Sequence, residues 1–311
     1  MTDVLDLHLA SPAERTQAFR NFHDVWGREL PIEEHVHARL GNPKYNNAQW
    51  YVGCLQGRVV TGCGCYAMQL SIDGRIEPAY ALGEVHTLAE VRGRGFAPQL
   101  LSFVEQDQRA AGRTVSVLYS DIAPSYYERL GYLLCSCPQG WADPRTAGLS
   151  ETGGAGAVPF DPTRELPAMV ELYQRSHSGL PLWIARSPSY WQYLIQRNPQ
   201  DEFYAIEADG RRLGYFRVAV TPAELKIRDF ALHDSTDAAC RALAAAAVAL
   251  ARARGAGRVG GWLPATSAFR ECFQFSERSR ELTMIKPLAP HLSLGASHRA
   301  AGAQLHEIDH V

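Results

Sequence analysis

The stretch from Glu84 to about Ala111 constrains this chain most. It begins as an apolar, extended segment and passes through Arg92-Gly93-Arg94-Gly95. From Phe96 it carries Leu100, Leu101, Phe103 and Val104 at helical spacing, and Gly112 stands where a C-cap falls. The pattern predicts a strand, a glycine-rich turn and a helix. A helix N-terminus has unpaired N–H groups and a partial positive charge. Gly93 and Gly95 have no side chain to obstruct an anion, and Arg92 and Arg94 add charge, so the local reading is a pyrophosphate cradle. A Walker A loop is excluded because no Gly-Lys-Ser/Thr follows. The dinucleotide fingerprint fails because Pro98 stands where a small residue is needed.

The chain is long enough for two ordinary domains, at 311 residues, and its net charge is close to balance at −2. No basic run interleaved with aromatics suggests nucleic acid, and no apolar run reaches the length of a membrane span. The N-terminus is acidic and lacks a signal-peptide layout. Seven cysteines form no disulfide framework. Cys63-x-Cys65 and Cys135-x-Cys137 lack the knuckle spacing of a zinc site, so no metal is expected. Buried thiols in a reducing cytoplasm are the expectation.

Taken in order, Ser11-Pro12 starts a helix with Ala18, Phe19, Phe22 and Trp26 at helical spacing, and Ile32 to Leu40 is a second helix. Phe22 and Trp26 read as core. Strands follow at Trp50–Cys54 and Val59–Leu70. Asp73-Gly74 is a hairpin turn, and a third strand runs from Pro78 into the organising stretch. Thr114–Tyr119 is a parallel neighbour strand, followed by a short helix near Ala123–Leu130 and a strand near Tyr132–Cys137. Residues 141–160 read as a Gly/Pro-rich linker. The second half repeats the order: helices from Asp161 and Ser187, a meander over 203–232, an Ala-rich helix over 237–254 and a strand at Val259–Leu263. Domains are therefore expected at 1–140 and 161–290, with a polar tail over 291–311 in which His306 and His310 are read as disordered.

A second motif follows the cradle: Leu118-Tyr119-Ser120-Asp121-Ile122-Ala123-Pro124-Ser125-Tyr126-Tyr127-Glu128-Arg129-Leu130-Gly131-Tyr132. Together with Arg92-x-x-Gly95-x-Ala97 it resembles the GNAT superfamily of N-acetyltransferases. The wording Tyr119-Ser120-Asp121-Ile122 resembles fungal lysine N-acetyltransferases. Ala123-Pro124-x-x-Tyr127 is similar to mycobacterial aminoglycoside acetyltransferases of the enhanced-intracellular-survival type. The resemblance implies an α/β (α+β) fold of tandem domains, each a mixed, mainly antiparallel sheet flanked by helices. The second copy is degenerate, since His233-Asp234-Ser235-Thr236 replaces the glycine-rich turn and its acidic character repels a pyrophosphate.

The resemblance also implies acetyl-CoA as co-substrate, held by Val85, His86 and Thr87 on the strand, by Arg92, Gly93, Arg94, Gly95, Phe96 and Ala97 at the cradle, and by Asp121 and Ile122. Asp121 alternatively orients the acceptor or caps the short helix. A primary amine attacks the thioester directly, which requires an acid for the leaving thiolate and a base for the amine. Tyr127 is the candidate acid, with Tyr126 as rival, because a phenol of pKa about 10 suits a thiolate. Glu84 and His86 lie two apart on one strand and are the candidate bases. The aminoglycoside relatives use their chain terminus as base. Their extra C-terminal domain is not expected in this chain, so the role is not carried to Val311. The acceptor reads as a small-molecule amine such as lysine or an aminoglycoside. A protein lysine acetyltransferase and a non-catalytic acyl-CoA sensor or scaffold are the alternatives. Self-association as a homo-oligomer is a further expectation.

Overall fold

The computed structural model describes residues 4–27, 29–147 and 155–311. The chain opens with β1 (Asp6–Leu9) and α1 (Pro12–Trp26). Ser11 and Glu14 form a reciprocal capping box at the start of α1, which buries Ala18, Phe19 and Phe22. Next come α2 (Ile32–Gly41), α3 (Pro43–Asn46) and a meander of β2 (Ala48–Leu55), β3 (Arg58–Ile72) and β4 (Arg75–Thr87). The predicted cradle helix is α4 (Phe96–Ala110), followed by β5 (Val115–Ser120), α5 (Ser125–Glu128), β6 (Leu133–Leu134) and β7 (Pro138–Ala142).

The second half runs β8 (Gly156–Pro159), α6 (Leu166–His177), β9 (Leu182–Ile184), α7 (Pro188–Arg197), then β10 (Glu202–Ala208), β11 (Arg211–Val220) and β12 (Glu224–Leu232). It continues with α8 (Asp237–Ala253), β13 (Arg258–Gly261), α9 (Ser267–Cys272), β14 (Gln274–Glu277), β15 (Leu282–Pro287) and α10 (Ala296–Ala301).

Two mixed, mainly antiparallel sheets result. The first has the order β1-β2-β3-β4-β5-β15-β6, with β9 added to the far end of β3; the second is β14-β7-β13-β12-β11-β10-β8. In each, one parallel pair, β4–β5 or β12–β13, is joined by the long helix α4 or α8. Leu100, Leu101 and Val104 of α4 pack on Cys63, Cys65, Tyr80 and Leu82 on one face of the first sheet. The other face meets α1 and the second half of the chain. In the second sheet the alanines of α8 allow close approach to Phe216, Val218, Ile227 and Leu232. All seven cysteines are unbridged.

Three boundary expectations are corrected. The halves exchange strands: β15, expected in the second domain, lies between β5 and β6, and β7 lies between β14 and β13. The ends of the expected linker are strands too, since β7 reaches Ala142 and β8 pairs with β10. The Gly-rich run beginning at Glu151 falls largely outside the described residues. Finally, residues 305–311 are no loose tail. Leu305, Ile308 and Val311 are buried, and Asp309 is 0% exposed. The polar composition concealed this because its polar groups are paired internally rather than hydrated.

Candidate active site

Parallel pairing of β4 with β5 runs only from Ala79 opposite Val115 to Leu82 opposite Leu118. Beyond it β4 continues to Thr87 and β5 to Ser120, and β5 is held on its other edge by β15. The two strands therefore open a wedge edged by backbone without a strand partner on that side. At its apex β4 has a bulge. Gly83 pairs with Gly64 and His86 with Gly62, so β4 spends one residue more than β3. Glu84 occupies the bulge with φ 49, a left-handed conformation uncommon for a carboxylate residue.

The bulge turns Glu84 toward Lys44 and Tyr66. Lys44 Nζ donates to Glu84 Oε1 at 2.7 Å, and the Tyr66 hydroxyl donates to Oε2 at 2.7 Å. Burial raises the Glu84 carboxyl, but the charge and hydrogen bond of Lys44, with Tyr66, outweigh it and hold the group below its usual range. His86 is 5% exposed and packs against Phe22 at 5.5 Å and Trp26 at 6.4 Å. Burial, and then Arg92, lower its pKa to about 4, so it is neutral at neutral pH. Both candidate bases thus face the α1 side.

Tyr127 lies on the α4 side, buried with Cys63, Leu82 and Leu118. Burial pushes its phenol up, which keeps it protonated. Tyr126 is half-buried, its ring 4.9 Å away and edge-on. Val85 joins the same α4-side core, and Thr87 Oγ1 meets Thr61 Oγ1 at 3.0 Å.

At the cradle, Arg92 Nε donates to the Thr87 carbonyl at 2.9 Å and fixes the turn. Gly93 and Gly95 have φ of 79 and 78, and a side chain added at Gly93 would meet nothing within 4 Å. No side chain caps α4, so its first-turn N–H groups remain for a ligand, and the Arg94 guanidinium lies over the Phe96 ring at 4.9 Å. A Cβ-free, uncapped terminus of this kind fits a pyrophosphate. The equivalent helix of the second half differs: Thr236 Oγ1 accepts from Ala239 N at 3.3 Å and Asp237 sits in the first turn. Asp121 is not gathered with the cradle. It accepts from the Glu281 N–H at 3.1 Å and faces Arg280, so it ties β5 to the β14–β15 loop. Ile122 is exposed and bonds through its N–H to Ser120 Oγ.

Sequence reasoning missed Lys44, Tyr66 and the last residues. Val311 packs beside the bulge: a Cβ added to Gly83 would lie 3.1 Å from the Tyr66 ring and 3.4 Å from Val311 Cγ2. The His310 ring lies edge-on to Tyr119 at 4.9 Å. No local pattern links position 44 or 311 to position 84; only the fold does.

The segment reaching Val311 is held by a buried network. Arg186 pairs with Asp229 at 2.9 Å and with Asp309 at 2.7 Å, and His306 Nε2 meets His177 Nε2 at 3.0 Å. Burial lowers His177 from 6.5 to about 4 and His306 from 6.5 to about 3. Unfolded, both imidazoles titrate near their ordinary pKa and bind more protons than the fold does at any pH between these limits. Stability is therefore fully present above pH 6.5 and declines as pH falls toward 3 to 4, by up to about 1.4 kcal/mol per unit for each group. Melting temperature followed against pH should be level above neutrality and fall below pH 6.5. His306→Phe should flatten that fall, and an unchanged slope would refute the assignment.

Residues 6–135 match a family model described as an acetyltransferase (GNAT) domain. No curated protein matches the sequence. Among solved structures, a GCN5-related N-acetyltransferase from Anabaena variabilis is 19% identical, with TM-score 0.70 over 92% of this chain and 73% of that one. Eis1 from Mycobacterium abscessus is 19% identical, with TM-score 0.60 over 92% of this chain and 74% of that one. A tandem GNAT protein from the clavulanic acid biosynthesis pathway is 15% identical, with TM-score 0.56 over 93% of this chain and all of the other, 100%. At these identities the likeness is one of fold.

Proposed function

We propose, from the premise that residues 6–135 are a GNAT acetyltransferase domain, that this chain transfers an acetyl group from acetyl-CoA to a primary amine of a small molecule. The observation that carries the reading is the alignment of three features on one strand–turn–helix unit: the wedge after Leu82, the bulge at Glu84 and the uncapped start of α4. Acetyl-CoA supplies an activated thioester whose acyl carbon a neutral amine can attack directly.

The roles of the chain's own residues follow. Gly93 to Ala97 offer backbone N–H groups to the pyrophosphate, with the positive end of α4 behind them. Val85 to Thr87 line the pantetheine arm, and the N–H groups beside the bulge serve the developing oxyanion. Tyr127, kept protonated by burial, returns a proton to the sulfur. Glu84 is ionised and receives the amine proton. His86, walled by Phe22 and Trp26, shapes the acceptor side. The second half contributes α7, which packs on α3 near Lys44, and closes the acceptor wall without a cradle of its own.

Thiol release from acetyl-CoA with a panel of amino acids, polyamines and aminoglycosides tests the activity, and no turnover with any amine would count against it. Calorimetric titration should count one acetyl-CoA site per chain. Arg92→Glu should weaken that binding at least about 100-fold, because a carboxylate replaces attraction by repulsion at the helix terminus. Two sites, or undiminished binding, would place the cradle elsewhere.

A further inference from the structure

Four arginines are buried among the described residues: Arg39, Arg186, Arg217 and Arg278. Three have oxygen partners throughout. Arg186 pairs with two aspartates, Arg217 with Asp201 and two carbonyls, and Arg278 with the Cys137 and Glu281 carbonyls and the Thr283 hydroxyl. Arg39 is the exception. It is 7% exposed, and its guanidinium donates from Nε to His35 Nε2 at 2.9 Å. Nη1 is buried with no partner, and no carboxylate of the described residues forms an ion pair with it.

Aromatic rings surround this cation. Its guanidinium carbon lies 4.6 Å from the Tyr45 centroid, 5.6 Å from Phe22 and 6.0 Å from Trp26. Ring faces attract a cation, but they recover only part of the cost of taking a charge out of water. The rings and the more distant Glu84 charge still leave Nη1 without a hydrogen-bond acceptor. Arginine cannot escape by losing its proton. The same rings lead to the reaction centre, since Phe22 and Trp26 also contact His86. Lys44, beside Tyr45, is already committed to Glu84. Of the three rings, Trp26 and Tyr45 are half-buried whereas Phe22 is buried, so an approach to Arg39 runs past Trp26 and Tyr45.

We propose that Arg39 anchors a carboxylate on the acceptor, so that the acceptor is an amino acid or another carboxylate-bearing amine rather than a polycation. This rests on the acetyltransferase reading above. The carboxylate supplies the partner that Nη1 lacks, and the amine of the same molecule reaches across the aromatic wall toward Glu84. A polycationic amine would instead bring further positive charge beside Arg39.

The test compares L-lysine with 1,5-diaminopentane, its counterpart without the carboxylate, as acceptors. A charge-assisted hydrogen bond is worth about 1.5–3 kcal/mol, so kcat/KM for L-lysine should exceed that for 1,5-diaminopentane by about 10- to 150-fold. Arg39→Met should raise KM for L-lysine and bring the two acceptors within about threefold, while Arg39→Lys, which keeps the charge but loses the planar fork, should retain part of the difference. A second readout needs no turnover: hexanoate should raise the melting temperature of the wild type and not of Arg39→Met, with acetyl-CoA titration verifying that the variant is folded. Equal kcat/KM for the two acceptors, or a ratio unchanged by Arg39→Met, overturns the proposal while leaving the activity standing. If no amine is acetylated, the activity reading fails, and the hexanoate shift then decides the carboxylate site by itself.

Discussion

Tyr127→Phe should lower kcat by about 100- to 10,000-fold, the usual range for losing a positioned general acid, while acetyl-CoA affinity is retained. The hydroxyl is the only group removed, and the ring stays packed against Tyr132 at 5.8 Å and within the α4-side core. Stability should therefore change little. Burial holds the phenol in its protonated form, so it is a donor throughout the neutral range. Tyr126→Phe serves as the control, since that neighbouring ring is only half-buried. Turnover by thiol release and binding by calorimetry separate the outcomes. Loss of turnover in Tyr126→Phe instead would move the acid by one residue. A wild type that binds acetyl-CoA but turns over no amine would favour a sensor, since such a chain has no rate for Tyr127→Phe to reduce.

Arg186→Met should destabilise the chain by about 3–5 kcal/mol, as is usual when one member of a buried ion pair is removed. At this chain length that corresponds to a fall in melting temperature of roughly 5–8 °C. The guanidinium makes four hydrogen bonds, two to Asp229 and two to Asp309. It also stacks on Tyr173 at 4.0 Å and Trp191 at 4.6 Å. Removing it leaves two buried carboxylates that can only ionise at high cost or take up protons. Asp309 belongs to the segment that ends beside Gly83, so hydrogen exchange over residues 305–311 should rise well before the sheets open. Acid should partly rescue the variant relative to the wild type, because protonation relieves the stranded carboxylates. A variant with unchanged melting temperature and protected residues 305–311 would show that this network does not hold the segment.

The legible parts of the protein are those with local causes. The strand–turn–helix at 84–111 was readable because glycine spacing, helical periodicity and an uncapped N-terminus are properties of adjacent residues. The meander was readable from Asp73-Gly74 and its flanking apolar strands, and the repeat in the second half from the same kind of pattern. The difference at the second copy was also visible, since His233-Asp234-Ser235-Thr236 has no glycine or arginine and carries an acid. What the sequence could not disclose depends on register and on distant packing. Alternation along β4 predicts that Glu84 shares the face of Leu82, but the bulge opposite Gly62–Gly64 turns it to Lys44 and Tyr66. Position 39 reads as an ordinary helix arginine until the fold encloses it in three rings contributed by α1 and α3. The closing residues look hydrophilic, yet Asp309 and His306 are buried because His177 of α6, Arg186 before α7 and Asp229 of β12 come to meet them. By itself the sequence determined the fold class and the strand–turn–helix over 84–111 that its second copy does not reproduce in composition, because each follows from neighbouring residues. Tertiary structure alone decided which strands change sheets, which groups pair with Glu84 and which rings enclose Arg39, because burial and pairing are properties of groups that only folding brings together.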